Sequence, residues 1–138
     1  NTSDLTKVRV WEDETNDPTG KAKKIPEGTI VYEINGPMFF AAVDKFRDFN
    51  VSEETKVMIL RMSNVLSVDS TAMKNLETLL GYCREKGVRL ILSHVGEQPL
   101  GVMKKSGFYA EVGEENFAAS IDDALDLAAA HGSDTPSV

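Results

Sequence analysis

One acid and two hydroxyls follow one another at Asp69, Ser70 and Thr71, where an apolar segment gives way to a helical pattern. The N-terminus of a helix carries unpaired backbone NH groups and the positive end of the helix dipole, so it favours anions and phosphate groups. An N-cap role explains the same residue types equally well, because Asp69 or Ser70 would satisfy some of those NH groups. The two interpretations are compatible, and both predict a helix start at this turn.

Nucleophilic catalysis would need a base beside the nucleophile, and the chain has two histidines, His94 and His131. His94 follows a strand-like segment with no reactive partner beside it in sequence, which favours a structural or partly exposed histidine. Cys83 lies on the apolar side of a helical pattern, as a small core residue would. A small hydrolase that uses His94 with Asp69 or Ser70 is kept as a hypothesis, but the sequence favours a protein that is not an enzyme.

Two acidic pairs, Glu114-Glu115 and Asp122-Asp123, are the candidates for a cation site. Adjacent helix positions point in different directions, and acids near a helix N-terminus already have an electrostatic role, so solvated charge is the favoured interpretation. Neither a Gly-rich dinucleotide fingerprint nor a P-loop occurs in the chain. The sequence therefore predicts no metal and no cofactor, while weak nucleotide binding at a helix end stays open.

Short apolar or β-branched segments predict the strands that must position these groups, at residues 8–11, 29–34, 57–60 and 88–92, with a brief extended stretch at 110–112. Apolar residues at helical spacing predict helices at about 39–48, 69–86, 99–105 and 117–130. Gly87 and Gly107 are the expected stops of the second and third helices, and Asn116 is the expected N-cap of the last.

The order of these elements predicts an α/β fold: a mixed, mostly parallel sheet with an antiparallel N-terminal edge strand, packed against about four helices. Residues 12–28 are polar and rich in Pro and Gly, so they form a long connecting loop on this interpretation. A length of 138 residues predicts a single domain over 1–138, with its core at about 5–130 and a mobile tail at 131–138.

Charge and composition exclude several classes of partner. The formal net charge is −7, and Lys and Arg form no run longer than two, which argues against binding to DNA or RNA. No apolar stretch approaches the length of about 18 residues that predicts a membrane-spanning helix, so we expect no direct membrane insertion by this chain. A single cysteine permits no internal disulfide and fits a reducing compartment.

The same turn carries a specific resemblance. The strand at 57–62, the stretch 67–73 and the helix after it resemble the sulphate transporter and anti-sigma factor antagonist (STAS) domain, and the match spans about residues 5–130. Residues 34–42 are similar to the Gly-Pro-Leu-Phe-Phe stretch of STAS domains attached to bacterial sulphate-permease-type (SulP) anion transporters. Further stretches that resemble the same branch lie at 98–100, 106–108 and 113–117.

This resemblance implies a cytoplasmic domain that follows the transmembrane domain of an anion transporter in one polypeptide, at the cytoplasmic face of the bacterial inner membrane. There it would regulate anion flux, assembly or trafficking and bind a cytosolic regulatory protein or kinase, without forming the permeation path. Phe39 and Phe40 also fit burial in the core. The candidate interaction surface comprises Pro37, Phe39, Phe40, Lys104 and Lys105.

The alternative is a stand-alone anti-sigma factor antagonist, which is a partner switch controlled by phosphorylation. In such proteins a kinase modifies the hydroxyl residue two positions after the turn's Asp, which corresponds here to Thr71, with Ser70 as its neighbour. This chain has Thr71-Ala72 where those switches commonly have Ser-Gly. A phosphate on Thr71 would add about −1.5 to −2 charges beside Asp69 and would alter docking through repulsion.

Overall fold

The computed structural model describes residues 8–11, 25–34 and 54–134, with the backbone alone at 8–11 and 132–134. The helix expected at 39–48 and most of the loop expected at 12–28 lie outside these described residues. So do Pro37, Phe39 and Phe40 of the candidate interaction surface. The strands and helices given below belong to the described parts of the chain.

Five strands form one sheet in the order β1-β2-β3-β4-β5. β1 pairs with β2 in antiparallel orientation, and every later pair is parallel. The central strand β3 is buried over four successive residues, as expected for a strand covered on both faces. The strands are β1 (Val8–Trp11), β2 (Thr29–Ile34), β3 (Val57–Arg61), β4 (Arg89–Ser93) and β5 (Phe117–Ala118).

Four α-helices are described, together with a 3₁₀ turn at Glu114–Asn116. They are α1 (Ser70–Lys86), α2 (Glu97–Ser106), α3 (Phe108–Val112) and α4 (Ile121–Asp134). The predicted mixed, mostly parallel α/β fold is therefore confirmed, as are the helix over the 69–86 region and its stop. Gly87 ends α1 in the left-handed conformation, with φ of 71°, which a residue without Cβ adopts at no steric cost.

The sheet separates two layers of apolar side chains. Helices α1, α2 and α3 cover one face with a cluster that includes Leu76, Met103 and Phe108. Helix α4 covers the other face through Ile121 and Leu125, which pack with alternate residues of the same strands. Because successive side chains of a strand point to opposite faces, each parallel strand contributes to both layers.

The prediction of an extended stretch at 110–112 is wrong, since these residues belong to α3. Phe108 and Val112 lie four residues apart and are both buried, which is the spacing of one helix face rather than of a strand. Gly107, with φ of 87°, ends α2 and turns the chain directly into α3. Arg84 Nη2 donates to the Glu111 carbonyl at 2.7 Å and so satisfies an acceptor at the end of α3.

The prediction that the last helix begins at Phe117 after an Asn116 N-cap is also wrong. Residues Phe117–Ala118 pair with β4 as strand β5, and the helix begins at Ile121. Ser120 caps it, because its Oγ accepts from the Asp123 NH at 3.1 Å. The Asn116 amide bridges elsewhere, accepting from Arg89 Nε and donating to the Val112 carbonyl, both at 2.6 Å. The helix also continues past Ala130, to Asp134.

Candidate functional site

The Asp-Ser-Thr turn lies where the chain leaves the carboxyl end of β3 and enters α1. Met62 NH donates to the Ser93 carbonyl at 2.8 Å, so the exit from β3 is joined to the end of β4. Val65 and Val68, in the segment that joins β3 to α1, are only 5% and 4% exposed and pack into the core. The start of α1 is therefore held by both hydrogen bonds and packing.

Asp69 is the N-cap of α1, which decides between the two capping residues considered from sequence. Its Oδ1 accepts from the Ala72 NH at 2.8 Å, and its own carbonyl accepts from the Met73 NH at 3.0 Å. Ser70 and Thr71 form the first turn of the helix and are exposed. The two hydroxyls are thus accessible, while the carboxylate between β3 and α1 already has a structural role.

A side chain from α2 fastens this turn in a way that sequence reasoning did not identify. Gln98 Oε1 accepts from the Val68 NH at 2.9 Å, and Gln98 Nε2 approaches the Val68 carbonyl at 3.3 Å. The two groups of one amide therefore engage both backbone groups of a residue 30 positions away. Gln98 was noticed only as part of a family-like stretch, and a single sequence offers no other signal of this contact.

We expect Asp69→Ala to lower the free energy of unfolding by about 1 kcal/mol, because it leaves the Ala72 NH at the start of α1 without its acceptor. Asp69→Asn retains an acceptor oxygen and should cost less, and Ser70→Ala, which removes an exposed hydroxyl outside the cap, serves as the matched control. Urea unfolding followed by circular dichroism measures all three. Equal stability of Asp69→Ala and Ser70→Ala would contradict the cap assignment.

Leu66 adds an apolar side chain to the exposed side of this turn. It is 84% exposed, whereas the neighbouring Val65 is buried, so the two residues point in opposite directions. We call residues 66–71 the docking turn, in which Leu66, Ser70 and Thr71 are all exposed. Sequence reasoning missed Leu66, because two adjacent apolar residues do not reveal which of them faces the core.

The basic candidates Lys104 and Lys105 do not join the docking turn. They lie in the last turn of α2, six and seven residues after Gln98 and so roughly 9–10 Å further along the helix axis. Lys104 Nζ lies 5.1 Å from the centre of the Tyr109 ring, a cation–π arrangement. Both lysines are exposed, and they form a separate part of the surface.

A second polar group lies at the carboxyl edge of the sheet. The strand register places Glu33, Arg61 and Ser93 side by side on β2, β3 and β4. Arg61 Nη1 lies 3.8 Å from Glu33 Oε1, and each side chain is only 14% exposed.

His94 comes directly after β4 and has a positive φ of 59°, and its Nδ1 lies 3.2 Å from Ser93 Oγ. Burial and the nearby Arg61 lower the pKa of His94, while Glu33 acts in the opposite direction.

This lowered pKa predicts a pH dependence of stability. The unfolded chain binds the His94 proton at a pKa near 6.5 and the folded chain binds it less readily, so stability is lost as the pH falls below about 6.5. His94→Asn should reduce the slope between about pH 7 and 5.5, because asparagine does not titrate and tolerates a positive φ. Urea unfolding at each pH measures this slope, and an unchanged slope would contradict the assignment.

The single cysteine is buried in the core of the α1 layer. Cys83 is 0% exposed, and burial raises the pKa of its thiol to about 12. A thiol with such a pKa contains almost no thiolate at neutral pH, and thiolate is the nucleophilic form. The environment of Cys83 therefore favours the core role expected from sequence.

Within residues 25–34 and 54–131, no three His, Cys, Asp or Glu side chains lie close enough together to hold a metal ion. Of the two acidic pairs, Glu114-Glu115 lies in the 3₁₀ turn and Asp122-Asp123 lies in the first turn of α4. Across the described part of the chain, no helix is both long and apolar enough to span a bilayer.

The model of the STAS domain family matches residues 21–124, which include β2 to β5, the docking turn and the beginning of α4. The chain belongs to the STAS domain family. This STAS domain is 41% identical to a sulfate transporter family protein from Wolinella succinogenes, whose crystal structure superposes with a TM-score of 0.69 over 77% of this chain and 88% of that chain. The SulP transporter STAS domain from Vibrio cholerae superposes with a TM-score of 0.73 at 26% identity, over 83% and 91% of the two chains.

A curated relative is much longer than this STAS domain. The putative sulfate transporter YvdB of Bacillus subtilis is 25% identical over 99 residues, which are 70% of this chain and 19% of that protein. The probable sulfate transporter 4.2 of Arabidopsis thaliana matches 76% of this chain and 18% of its own length. The chain therefore spans less than a fifth of the curated transporters that it matches.

Proposed function

We propose that this STAS domain is the cytoplasmic regulatory and protein-interaction domain of a SulP-type secondary anion transporter. The observation that carries the proposal is the likeness to the Wolinella succinogenes protein, which is 41% identical and belongs to a sulfate transporter family. Attachment to a membrane-embedded part of the same polypeptide places the domain at the cytoplasmic face of the bacterial inner membrane. The transmembrane domain is then its first partner.

The docking turn supports a role in contact rather than in chemistry. Gln98 and the Asp69 cap hold its backbone before any partner arrives, so little conformational entropy is lost when it is covered. Leu66 supplies apolar area, and Ser70 and Thr71 supply hydroxyls at its side. A preorganised surface of this kind favours docking against another domain.

The surroundings of His94 do not favour the hydrolase hypothesis. The Asp69 carboxylate is engaged by the Ala72 NH, and the His94 ring lies beside Ser93, with Arg61 and Glu33 near it. A base that activates the Ser70 hydroxyl would instead have to lie within about 3 Å of it. We therefore assign this domain no enzymatic activity of its own.

Anion uptake by the full-length transporter tests the proposal. Leu66→Asp places a charge where apolar contact is expected, and we expect it to change the uptake rate several-fold at unchanged abundance in the membrane. Glu77→Gln, an exposed change further along α1, is the matched control and should leave uptake unchanged. A parent reading frame without membrane-spanning segments, or equal uptake by both variants, would overturn the proposal.

The second candidate function is the phosphorylation-controlled partner switch. The exposed Thr71 hydroxyl in the first turn of α1 favours it, because a kinase can reach that position. Mass spectrometry after incubation with candidate partner kinases tests it, with Thr71→Val as the control. Modification that is lost in Thr71→Val would support the switch, whereas an unmodified chain would count against it.

A further inference from the structure

Strand β5 ends the sheet, and it is very short. Within the described residues no strand lies beyond it, so no described strand pairs with the outer side of its backbone. The Ala118 carbonyl accepts from the His94 NH at 3.2 Å, which directs the polar backbone groups of Ala118 towards β4. Backbone groups of neighbouring strand residues point to opposite sides, so the Phe117 carbonyl is directed to the open edge. The Phe117 NH already donates to the Glu114 carbonyl.

Two pockets flank this edge, and Phe117, Ala118 and Ala119 line both of them. The first, of about 370 Å³, is here called the aromatic pocket and is completed by His94, Val95, Leu100 and Tyr109. The second, of about 440 Å³, is called the acidic pocket and is completed by Glu114, Glu115, Asp123, Asp126 and Leu127.

The pockets lie on opposite faces of the sheet. Phe117 packs against the layer formed by α1, α2 and α3, and its ring lies 4.6 Å from that of Tyr109. Ala118 and Leu127 pack instead against the α4 layer. A strand added beside β5 would send alternate side chains to these two faces, and hence into the two pockets in turn.

We propose that β5 accepts an extended segment of a partner protein as an additional strand, with apolar side chains in the aromatic pocket and Lys or Arg side chains at the acidic pocket. Strand addition to an open edge gains affinity from main-chain hydrogen bonds and specificity from pockets for alternate side chains. This inference rests on the proposed interaction role and names the chemistry of a second partner, at a surface separate from the docking turn.

Charge determines which side chains of the segment face each pocket. Among the described residues that line the acidic pocket there are four carboxylates and no Lys or Arg side chain. On the other face, Lys104 lies over the Tyr109 ring and would repel a cation that entered the aromatic pocket. The arrangement therefore distinguishes the two faces of the incoming segment and sets its register.

A second copy of the chain fits this edge less well than a basic segment does. The chain has a formal net charge of −7, and pairing two β5 edges would bring two sets of these carboxylates together. Like charges opposed across strands are unfavourable. A basic partner segment would instead neutralise the acidic pocket.

The probe is a blocked peptide of about eight residues that alternates lysine with leucine. We expect saturable binding to this chain by fluorescence anisotropy, and slower exchange of the Ala119 amide hydrogen. A peptide of the same composition without the alternation, and one with glutamate in place of lysine, should bind at least about tenfold more weakly. Equal binding of the alternating and non-alternating peptides would overturn the proposal.

Two further comparisons separate strand addition from simple charge attraction. N-methylation of alternate peptide NH groups should abolish binding when it blocks the edge that meets β5, and should be tolerated on the other edge. The double variant Glu115→Gln with Asp123→Asn should bind about two- to tenfold more weakly. Glu77→Gln with Glu85→Gln removes two exposed charges on α1 and is the matched control.

The remaining outcomes also decide between explanations. Insensitivity to N-methylation on either edge would overturn strand addition, and concentration-dependent dimers that the peptide does not dissociate would assign the edge to a second copy. Failure of peptide binding alongside an altered uptake rate in Leu66→Asp would remove only this inference. Binding of the alternating peptide by a chain whose parent gene lacks membrane-spanning segments would remove only the transporter assignment.

Discussion

Leu76→Ala is expected to lower the free energy of unfolding by about 2–5 kcal/mol, because it leaves a cavity in the layer that supports the docking turn. Leu76 is 0% exposed and lies on the inner side of α1, in one cluster with residues of all three helices of its layer. The loss has two parts: the favourable free energy of burying the methyl groups that are removed, and the packing contacts that their neighbours lose around the cavity. Urea unfolding followed by far-ultraviolet circular dichroism measures it.

Leu66→Ala makes the same chemical change at a residue that is 84% exposed. We expect it to alter the free energy of unfolding by less than about 0.5 kcal/mol, because little apolar area is buried there. The pair separates packing from surface function, since Leu66 can then be changed in uptake experiments without loss of fold. A loss at Leu66 as large as that at Leu76 would show that Leu66 packs in the folded chain.

Arg61→Met is expected to lower the free energy of unfolding on the order of 2–3 kcal/mol, less than the about 3–5 kcal/mol of a fully buried pair. It removes the cation beside Glu33 while both positions remain only 14% exposed, so a carboxylate is left with little water around it. The double variant with Glu33→Gln should recover about 1 kcal/mol or more of that loss, since the isolated charge is gone. Losses that simply add in the double variant would show that the two side chains are not coupled.

The same substitution should change the titration of His94. Arg61 lowers the pKa of His94, so its removal should raise that pKa, which NMR titration of the ring protons measures directly. Lys105→Met, at an exposed position on α2, is the matched loss of one cation and should leave the titration unchanged. An unchanged pKa in Arg61→Met would leave burial as the sole cause of the shift.

Local signals in the sequence were enough for α1 and for the parallel strands β2, β3 and β4. Asp69, the apolar side of the helix and Gly87 act within one or two turns of the chain, so capping, amphipathicity and termination can be identified without the rest of the molecule. The continuous burial of β3 also follows from its uninterrupted apolar residues. The family resemblance drew on these same local stretches, and the family match confirms it.

The errors came from segments whose local pattern is ambiguous. Phe108 and Val112 are compatible with either period in so short a stretch, and contact with the α1 layer selects the helix. Phe117 looks like the first apolar residue of the last helix, but pairing with Leu92 makes it a strand residue. In both cases a tertiary contact outweighs a weak local preference, because burial of a large side chain contributes more than propensity does.

The sequence by itself determined the type of fold, the capped start of α1 and the presence of two hydroxyls there, because each depends on neighbours a few residues away. Only the tertiary structure brought Gln98 to Val68, Arg61 to Glu33 and two pockets to the edge at Phe117. These contacts join residues that are distant along the chain, and a single sequence carries no record of which distant side chains meet. The docking turn is therefore predictable in its residues, but its rigidity and its exposed Leu66 follow from how the helices pack on the sheet.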